Sequence, residues 1–144
     1  MAYNKKDLLR FLEAQNKLYL TALSEIKKGK KESPWMWFIF PQIKGLGSSD
    51  TSKFYEIKSA DEAIAYLEHP ILGKHLIEVA AELLKTEEKT ALEIFGMPDD
   101  EILRSSMTLF ASVQNNESLF QEVLEKYFDG SSDFHTIQLL YGNL

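Results

Sequence analysis

The stretch "LLRFLEAQNKLYLTALSEIKKG", residues 8–29, decides the fold class of this chain. Its apolar side chains recur at steps of three and four residues, which places them on one face of an α-helix. Gly29 comes next, and glycine commonly ends a helix because it adopts the left-handed conformation. The pattern therefore predicts a long first helix over about residues 5–28, with a stripe formed by Leu8, Phe11, Leu12, Gln15, Leu18, Tyr19, Ala22, Leu23 and Ile26.

The remainder of the chain has the pattern of further capped helices. Ser59 and Glu62 fit a capping box, in which each side chain bonds a free amide of the first turn. No segment alternates with a period of two, and no internal repeat is present. We therefore expect one all-α domain, residues 1–144, with six to eight helices, several of them short. Helices are predicted at about 70–85, 100–114 and 117–128, and a last one runs from its cap to about residue 141, with caps at Asp99 or Asp100, at Asn116 or Ser118, and at Asp133. A short turn is predicted at 91–95, closed by Gly96 and Pro98.

Composition and charge narrow the functional classes. The net charge of −6 argues against a nucleic-acid partner, since phosphate binding requires a surplus of lysine and arginine. The local run "KKGKK" at 27–31 is explained by lysines in the last turn of a helix, where cations complement the dipole. The absence of cysteine excludes disulfides, thiolate metal sites and thiol nucleophiles. With no apolar run of membrane-spanning length and no signal peptide, we expect a cytoplasmic protein without a membrane partner.

The segment "SPWMWFIFPQIKGLGSS", residues 33–49, holds both tryptophans. Ser33 and Pro34 are typical of a helix start, and Pro41 disfavours helical conformation in the residue before it. The apolar run between the two prolines could be a buried strand, but these signals favour a short buried helix. From Pro41 onward we expect a loop of about ten residues, and loops of that length in compact domains are often functional.

Phe38, Ile39 and Phe40 of this segment are expected in the core. Trp35 and Trp37 leave two interpretations open, because each indole N–H requires a partner and each ring offers a flat face to a base or sugar. They are either core aromatics or the wall of a binding site. The following "GLGSS", residues 45–49, is either a tight turn or part of a phosphate cradle.

A second segment with candidate chemistry is "FGMPDDEILRSSMTLF", residues 95–110. Two adjacent acids begin a helix, and at least one of them is expected to cap it. The hydroxyls of Ser105, Ser106 and Thr108 are poor choices for a helix interior, because they compete for backbone hydrogen bonds. They indicate either close helix packing or the wall of a pocket that presents hydroxyls and Arg104 to a polar ligand.

Common catalytic signatures are absent from the sequence. His69, His75 and His135 lie in different predicted elements and form no HExxH pair, and no other ligand set is grouped. Neither a GxSxG elbow nor a GxxxxGK loop occurs. We therefore expect no metal ion and no cofactor.

Three motifs in this order and spacing resemble the bacterial domain-of-unknown-function family 1810: "WMWFIFPQIKGLGSS", "YLEHPILGKHL" and "FGMPDDEILRSSMTLF". The likeness covers nearly the whole chain and implies a mainly helical fold. Members often carry a lysine where this chain has Ile102, so a mechanism that needs that amine is in doubt here. The resemblance marks Trp35, Trp37, Pro41, Gln42, Gly45, Gly47, Ser49, His69, Pro70, Gly73, Phe95, Gly96, Pro98, Asp99, Asp100, Ser105, Ser106, Thr108 and Phe110.

The chain is also loosely similar to small helical domains that act on ADP-ribose derivatives. We therefore expect a cleft between residues 35–49 and 99–108 that binds a small polar ligand, a nucleotide or an ADP-ribose derivative. If the protein is an enzyme, the expected reaction is N-glycosidic hydrolysis, with Asp99 or Asp100 activating water or stabilising the transition state. The expected ligand-binding residues are Trp35, Trp37, Gln42, Gly45, Gly47, Ser49, Arg104, Ser105, Ser106 and Thr108.

The alternative function is a non-catalytic interaction or homodimerisation module that uses the aromatic segment 35–40. Exposed aromatic patches of this kind are typical of interfaces. Oligomeric state, partner and ligand identity do not follow from the sequence.

Overall fold

The structure is a computed structural model that describes residues 5–114 and 118–142. Within these residues all regular elements are helices, which confirms the all-α class; none of them is long and apolar enough to cross a membrane. Among the described residues, a 3-10 turn, Lys5–Leu8, leads into the first of nine α-helices. Their bounds are α1 Leu9–Lys28, α2 Met36–Ile39, α3 Asp50–Phe54, α4 Ala60–Glu68, α5 Leu72–Lys85, α6 Ala91–Phe95, α7 Asp99–Val113, α8 Leu119–Phe128 and α9 Phe134–Tyr141.

Two long helices organise the core. The buried face of α1 packs against α2 and α5, and α7 contacts α4, α6, α8 and α9. The predicted stripe of α1 is largely correct, because Phe11, Ala22 and Ile26 are fully buried. Gln15 is buried in the same stripe although its amide is polar, so it requires hydrogen-bond partners inside the protein.

Most predicted helix ends are confirmed. Gly29 is left-handed, with φ +77°, at the end of α1, and Ser59, Ser118 and Asp133 each accept a bond from the third residue of the helix that follows. The box at Ser59 is incomplete, because the Glu62 carboxylate accepts from the Lys58 amide instead. Asn116, the alternative cap, lies outside the described residues.

Two predicted caps are corrected. Ser33 does not cap α2, which begins without any side-chain cap after Trp35. Its hydroxyl and amide bond the Glu25 carboxylate instead. At α7, Asp99 and Asp100 are the first two helical residues and neither accepts a cap bond, since the helix begins directly after Pro98.

The loop after Pro41 is held by backbone contacts. Gln42 and Lys44 flank a single parallel bridge from Ile43 to Ile57, with N···O distances of 2.7 Å on both sides. Helix α3 was not expected in this loop. It forms because the Ser49 hydroxyl accepts from the amide of Ser52, so a one-turn helix is capped in what the sequence predicts as a loop.

Candidate functional site

The Glu25 carboxylate determines the position of Trp35. It accepts bonds from the indole Nε1 at 2.8 Å, from the amides of Glu32 and Ser33 at 2.7 and 2.9 Å, and from the Ser33 hydroxyl at 2.5 Å. Burial alone would raise the pKa of Glu25, but these donors outweigh it and lower the pKa to about 2. The Trp35 ring is fully buried. This corrects the expectation that it stacks on a ligand, because no face of the ring is open.

The rest of the aromatic segment is also largely core. Phe38, Ile39 and Phe40 are buried as expected. Trp37 is half-buried and packs on the edge of the core. Of residues 35–40, only the Trp37 ring is therefore accessible to a partner. This corrects the interaction-module alternative, which requires an exposed aromatic surface over the whole segment.

The two acids proposed for catalysis lie apart from any described groove. Asp99 forms an ion pair with Lys31 at 2.9 Å, and the Lys31 ammonium lies 5.2 Å from the centre of the Trp35 ring. The Asp100 Oδ1 is buried, and no described residue donates to it. Asp99 is therefore engaged in an ion pair with a lysine four residues before Trp35, rather than facing a cleft.

The polar residues of α7 hold the start of α9. The Arg104 guanidinium donates to the carbonyls of Ser131 and Ser132 at 2.9 and 3.2 Å. Thr108 accepts from the Asp133 amide at 2.9 Å, and the Ser105 hydroxyl reaches the Asp133 carboxylate at 3.2 Å. Of the two interpretations for these residues, the contacts favour packing, since the groups assigned to a ligand already bond the protein.

Ser106 differs from its neighbours. It is fully buried, and no described residue bonds its hydroxyl. Replacing it with alanine removes an unpaired polar atom, so Ser106→Ala is expected to be neutral or to stabilise by up to about 1 kcal/mol. Thr108→Ala leaves the Asp133 amide without its acceptor and is expected to cost about 1–3 kcal/mol. Urea unfolding of the matched pair measures both values; equal destabilisation by the two variants contradicts this account.

The predicted phosphate loop lies against α9. Gly45 and Ser49 are exposed, Gln42 and Gly47 are half-buried, and the backbone at Gly47 passes close to the Ser52 side chain. A groove of about 460 Å³ beside this loop is bordered by Lys44, Lys58, Gly45 and Leu139, among others.

Neither described groove that contains residues of 35–49 is lined by a residue of 99–108. The first is the groove of about 460 Å³ beside α9. The second, of about 280 Å³, lies between α1 and the side chains of Phe54 and Tyr55. The expected cleft between the two segments is therefore not among these grooves. The polar groups that the sequence predicts along one wall of that cleft instead bond Lys31 and residues 131–133.

A different polar cluster lies between α1 and α5. The buried Gln15 amide donates from Nε2 to the Phe38 carbonyl at 2.8 Å and to the Tyr66 hydroxyl at 2.9 Å. Its Oε1 lies 2.7 Å from Nδ1 of His75. The His75 ring is stacked on Tyr19, with 3.5 Å between ring centroids and an angle of 7°. Three side chains and one carbonyl thus position a single imidazole.

This arrangement determines the tautomer of His75. A backbone carbonyl only accepts, so the Gln15 atom that faces Phe38 must be the amide nitrogen, and the atom that faces His75 must be the oxygen. Nδ1 of His75 therefore carries a proton. When the ring is neutral, Nε2 is then the acceptor, and no described residue bonds it.

Burial keeps the ring neutral near pH 7. It lowers the pKa of His75, and Lys74 acts in the same direction while Glu78 opposes both. Burial also raises the pKa of Tyr19, and its hydrogen bond to Glu78 adds to that effect. Tyr19 is therefore a neutral hydroxyl that donates to Glu78, and its ring supports one face of His75.

A cavity of about 380 Å³ borders this imidazole. Its size is that of a small-molecule site, and its wall combines apolar side chains with a few polar groups, as such sites do. Within the described residues no group of three or more potential metal ligands occurs. The lining consists of Leu12, Glu13, Gln15, Asn16, Ile71 and His75.

Sequence reasoning missed this site. The sequence pattern places Gln15 in the apolar stripe of α1, and it shows His75 only as a histidine without a metal-binding partner. A signal was present, since an amide in the middle of a buried stripe needs polar partners on another element. The sequence does not say that the partner is sixty residues away.

Comparisons with known proteins agree with the resemblance drawn from the three motifs. Residues 5–140 match the family described as "Protein of unknown function (DUF1810)". The structure is similar to the crystal structure of the conserved hypothetical protein Rv1873 from Mycobacterium tuberculosis, with 43% identity and a TM-score of 0.92. That similarity covers 95% of this chain and 98% of the other. No curated protein matches. The chain therefore belongs to the DUF1810 family, whose function is unknown.

Proposed function

We propose that this domain, which we expect in the cytoplasm, binds a small polar ligand of the nucleoside or nucleotide class in the cleft between α1 and α5. One observation carries the proposal: His75 is held in a single tautomer, by Gln15, at the wall of a cavity. A buried glutamine that makes three bonds to fix one imidazole resembles the way in which binding sites orient an acceptor.

The cavity wall supports a ligand with one flat apolar part and one polar edge. Leu12 and Ile71 supply apolar surface, and Ile71 is 48% exposed, so the cleft is open to solvent. Asn16, exposed on α1, adds an amide that both donates and accepts. This is the mixture that recognises the edge of a heterocycle while covering its face.

The proposal is tested by a thermal-shift screen with nucleosides, nucleotides and ADP-ribose compounds. A ligand at a hundred times its Kd should add about 2.7 kcal/mol of stability, which raises the Tm by roughly 8 °C for a chain of this size. His75→Ala should abolish the shift, whereas the control His135→Ala, at an exposed position of α9, should retain it. If no compound of the panel shifts the wild type, the proposal is wrong.

Because His75→Ala also removes the stack on Tyr19, a second measurement uses the unaltered protein. Nitrogen-15 NMR separates the two ring nitrogens of His75. A bound ligand should shift the Nε2 resonance far more than that of Nδ1, which Gln15 already bonds. Binding that moves neither resonance would place the ligand elsewhere.

A further inference from the structure

We infer that the cleft between α1 and α5 selects an uncharged ligand that donates a hydrogen bond to His75, so that it prefers a nucleobase or nucleoside to the phosphorylated form. This inference rests on the proposed function and narrows its ligand class.

The direction of the hydrogen bond at His75 favours a ligand that donates. With Nδ1 donating to Gln15, neutral His75 offers only a lone pair, on Nε2. A phosphate or carboxylate oxygen is an acceptor and gains nothing from a second acceptor. A ring N–H, an exocyclic amine or a sugar hydroxyl is a donor and completes the bond.

The charge of the cavity lining disfavours a phosphate. Of the six residues that line the cavity, only Glu13 carries a fixed charge, and no lysine or arginine is among them. Beside His75 on α5, Glu78 and Lys74 act on the ring in opposite directions. Phosphate binding requires cations or several free amides. A phosphorylated ligand would meet a carboxylate instead.

Lysines border a different groove of the molecule. Lys44 and Lys58 border the groove beside α9, and each follows a residue of the Ile43–Ile57 bridge in the chain. The chain thus has lysines at a groove, but not at the groove that contains the oriented histidine. The Glu13 side chain is exposed and forms no ion pair among the described residues. Arg10 and Lys17 lie one turn away on α1, but they line the neighbouring groove and not this cavity.

The test compares matched pairs, adenosine with AMP and guanosine with GMP, by calorimetry at low ionic strength. A single carboxylate at the rim, near a phosphate dianion, should make binding of the monophosphate about fivefold weaker than binding of the nucleoside. Added salt should reduce this difference in affinity. Glu13→Gln should bring the affinity for the monophosphate close to the affinity for the nucleoside. Glu125→Gln, at an exposed position of α8, is the matched control and should preserve the wild-type ratio.

The outcomes separate the two proposals. If no member of either pair binds, the proposed function itself fails for this ligand class. If the monophosphate binds as tightly as the nucleoside, or more tightly, the inference is overturned while the proposed site stands. If Glu13→Gln leaves the ratio of the two affinities unchanged, selection does not come from the rim charge and the inference is equally overturned.

Discussion

Glu25→Ala is expected to lower the free energy of unfolding by about 3–5 kcal/mol. The substitution removes one acceptor and leaves without a partner the buried Trp35 indole N–H and the part-buried amides of Glu32 and Ser33. Each unpaired buried donor costs about 1–3 kcal/mol. Urea unfolding followed by circular dichroism measures the loss, and the emission of Trp35 should shift to longer wavelength as water reaches the ring.

The control for this prediction is Glu32→Ala. The Glu32 carboxylate is exposed and pairs only with exposed Lys28 at 3.8 Å, so its loss should cost less than about 0.5 kcal/mol. If Glu25→Ala were as mild as the control, Trp35 would not depend on this carboxylate, and a ligand-facing tryptophan would again be an open interpretation.

The contribution of the Glu25 carboxylate to stability depends on pH. Its pKa in the folded protein, about 2, lies below the ordinary 4.5. The stabilisation is therefore complete above pH 4.5 and is lost as the pH falls toward 2. Glu25→Gln does not titrate, so the stability gap of up to about 3 kcal/mol between wild type and this variant should close across that window. A gap that is constant with pH would contradict the assignment.

Gly73→Ala is expected to destabilise the protein by about 2–4 kcal/mol, although alanine is the better helix former. A methyl group at this position of α5 would lie 2.1 Å from the Leu67 carbonyl oxygen and 2.9 Å from its carbon. These are backbone atoms at the end of α4, so the clash cannot be relieved by rotating a side chain. Thermal or urea unfolding measures the effect.

Lys74→Ala is the control for Gly73→Ala, since it changes the neighbouring, exposed residue of the same helix turn. It should alter stability by less than about 0.5 kcal/mol. Helix α5 also carries His75, so a shift of α5 away from α4 would move a residue that lines the cleft. A Gly73→Ala protein as stable as the wild type would show that the two helices can move apart at little cost.

The sequence allowed the helices and most of their ends to be predicted. Gly29, Ser59, Ser118 and Asp133 act on amides or carbonyls within four residues of themselves, so the printed sequence contains both partners. The three family motifs are likewise patterns along the chain. Fold class and family membership followed from information of this local kind.

The candidate site did not follow from the sequence in the same way. The hydroxyls of α7 were correctly marked as unusual, but only the structure shows that Ser105 and Thr108 are used at Asp133. Ser33 was predicted to cap a helix, and a carboxylate eight residues earlier bonds it instead. In each case the sequence indicates that the residue type is unusual at its position, but it does not identify the residue that bonds it.

The sequence by itself therefore determined that this chain is helical, where most of its predicted helices end and to which family it belongs. Only the tertiary structure decided which polar groups meet: Gln15 with His75, Lys31 with Asp99, and Glu25 with Trp35. The physical reason is range. A helix forms from bonds between residues three or four positions apart, whereas the orientation of His75 depends on α1, α2 and α5 packing so that one amide reaches both a carbonyl and an imidazole.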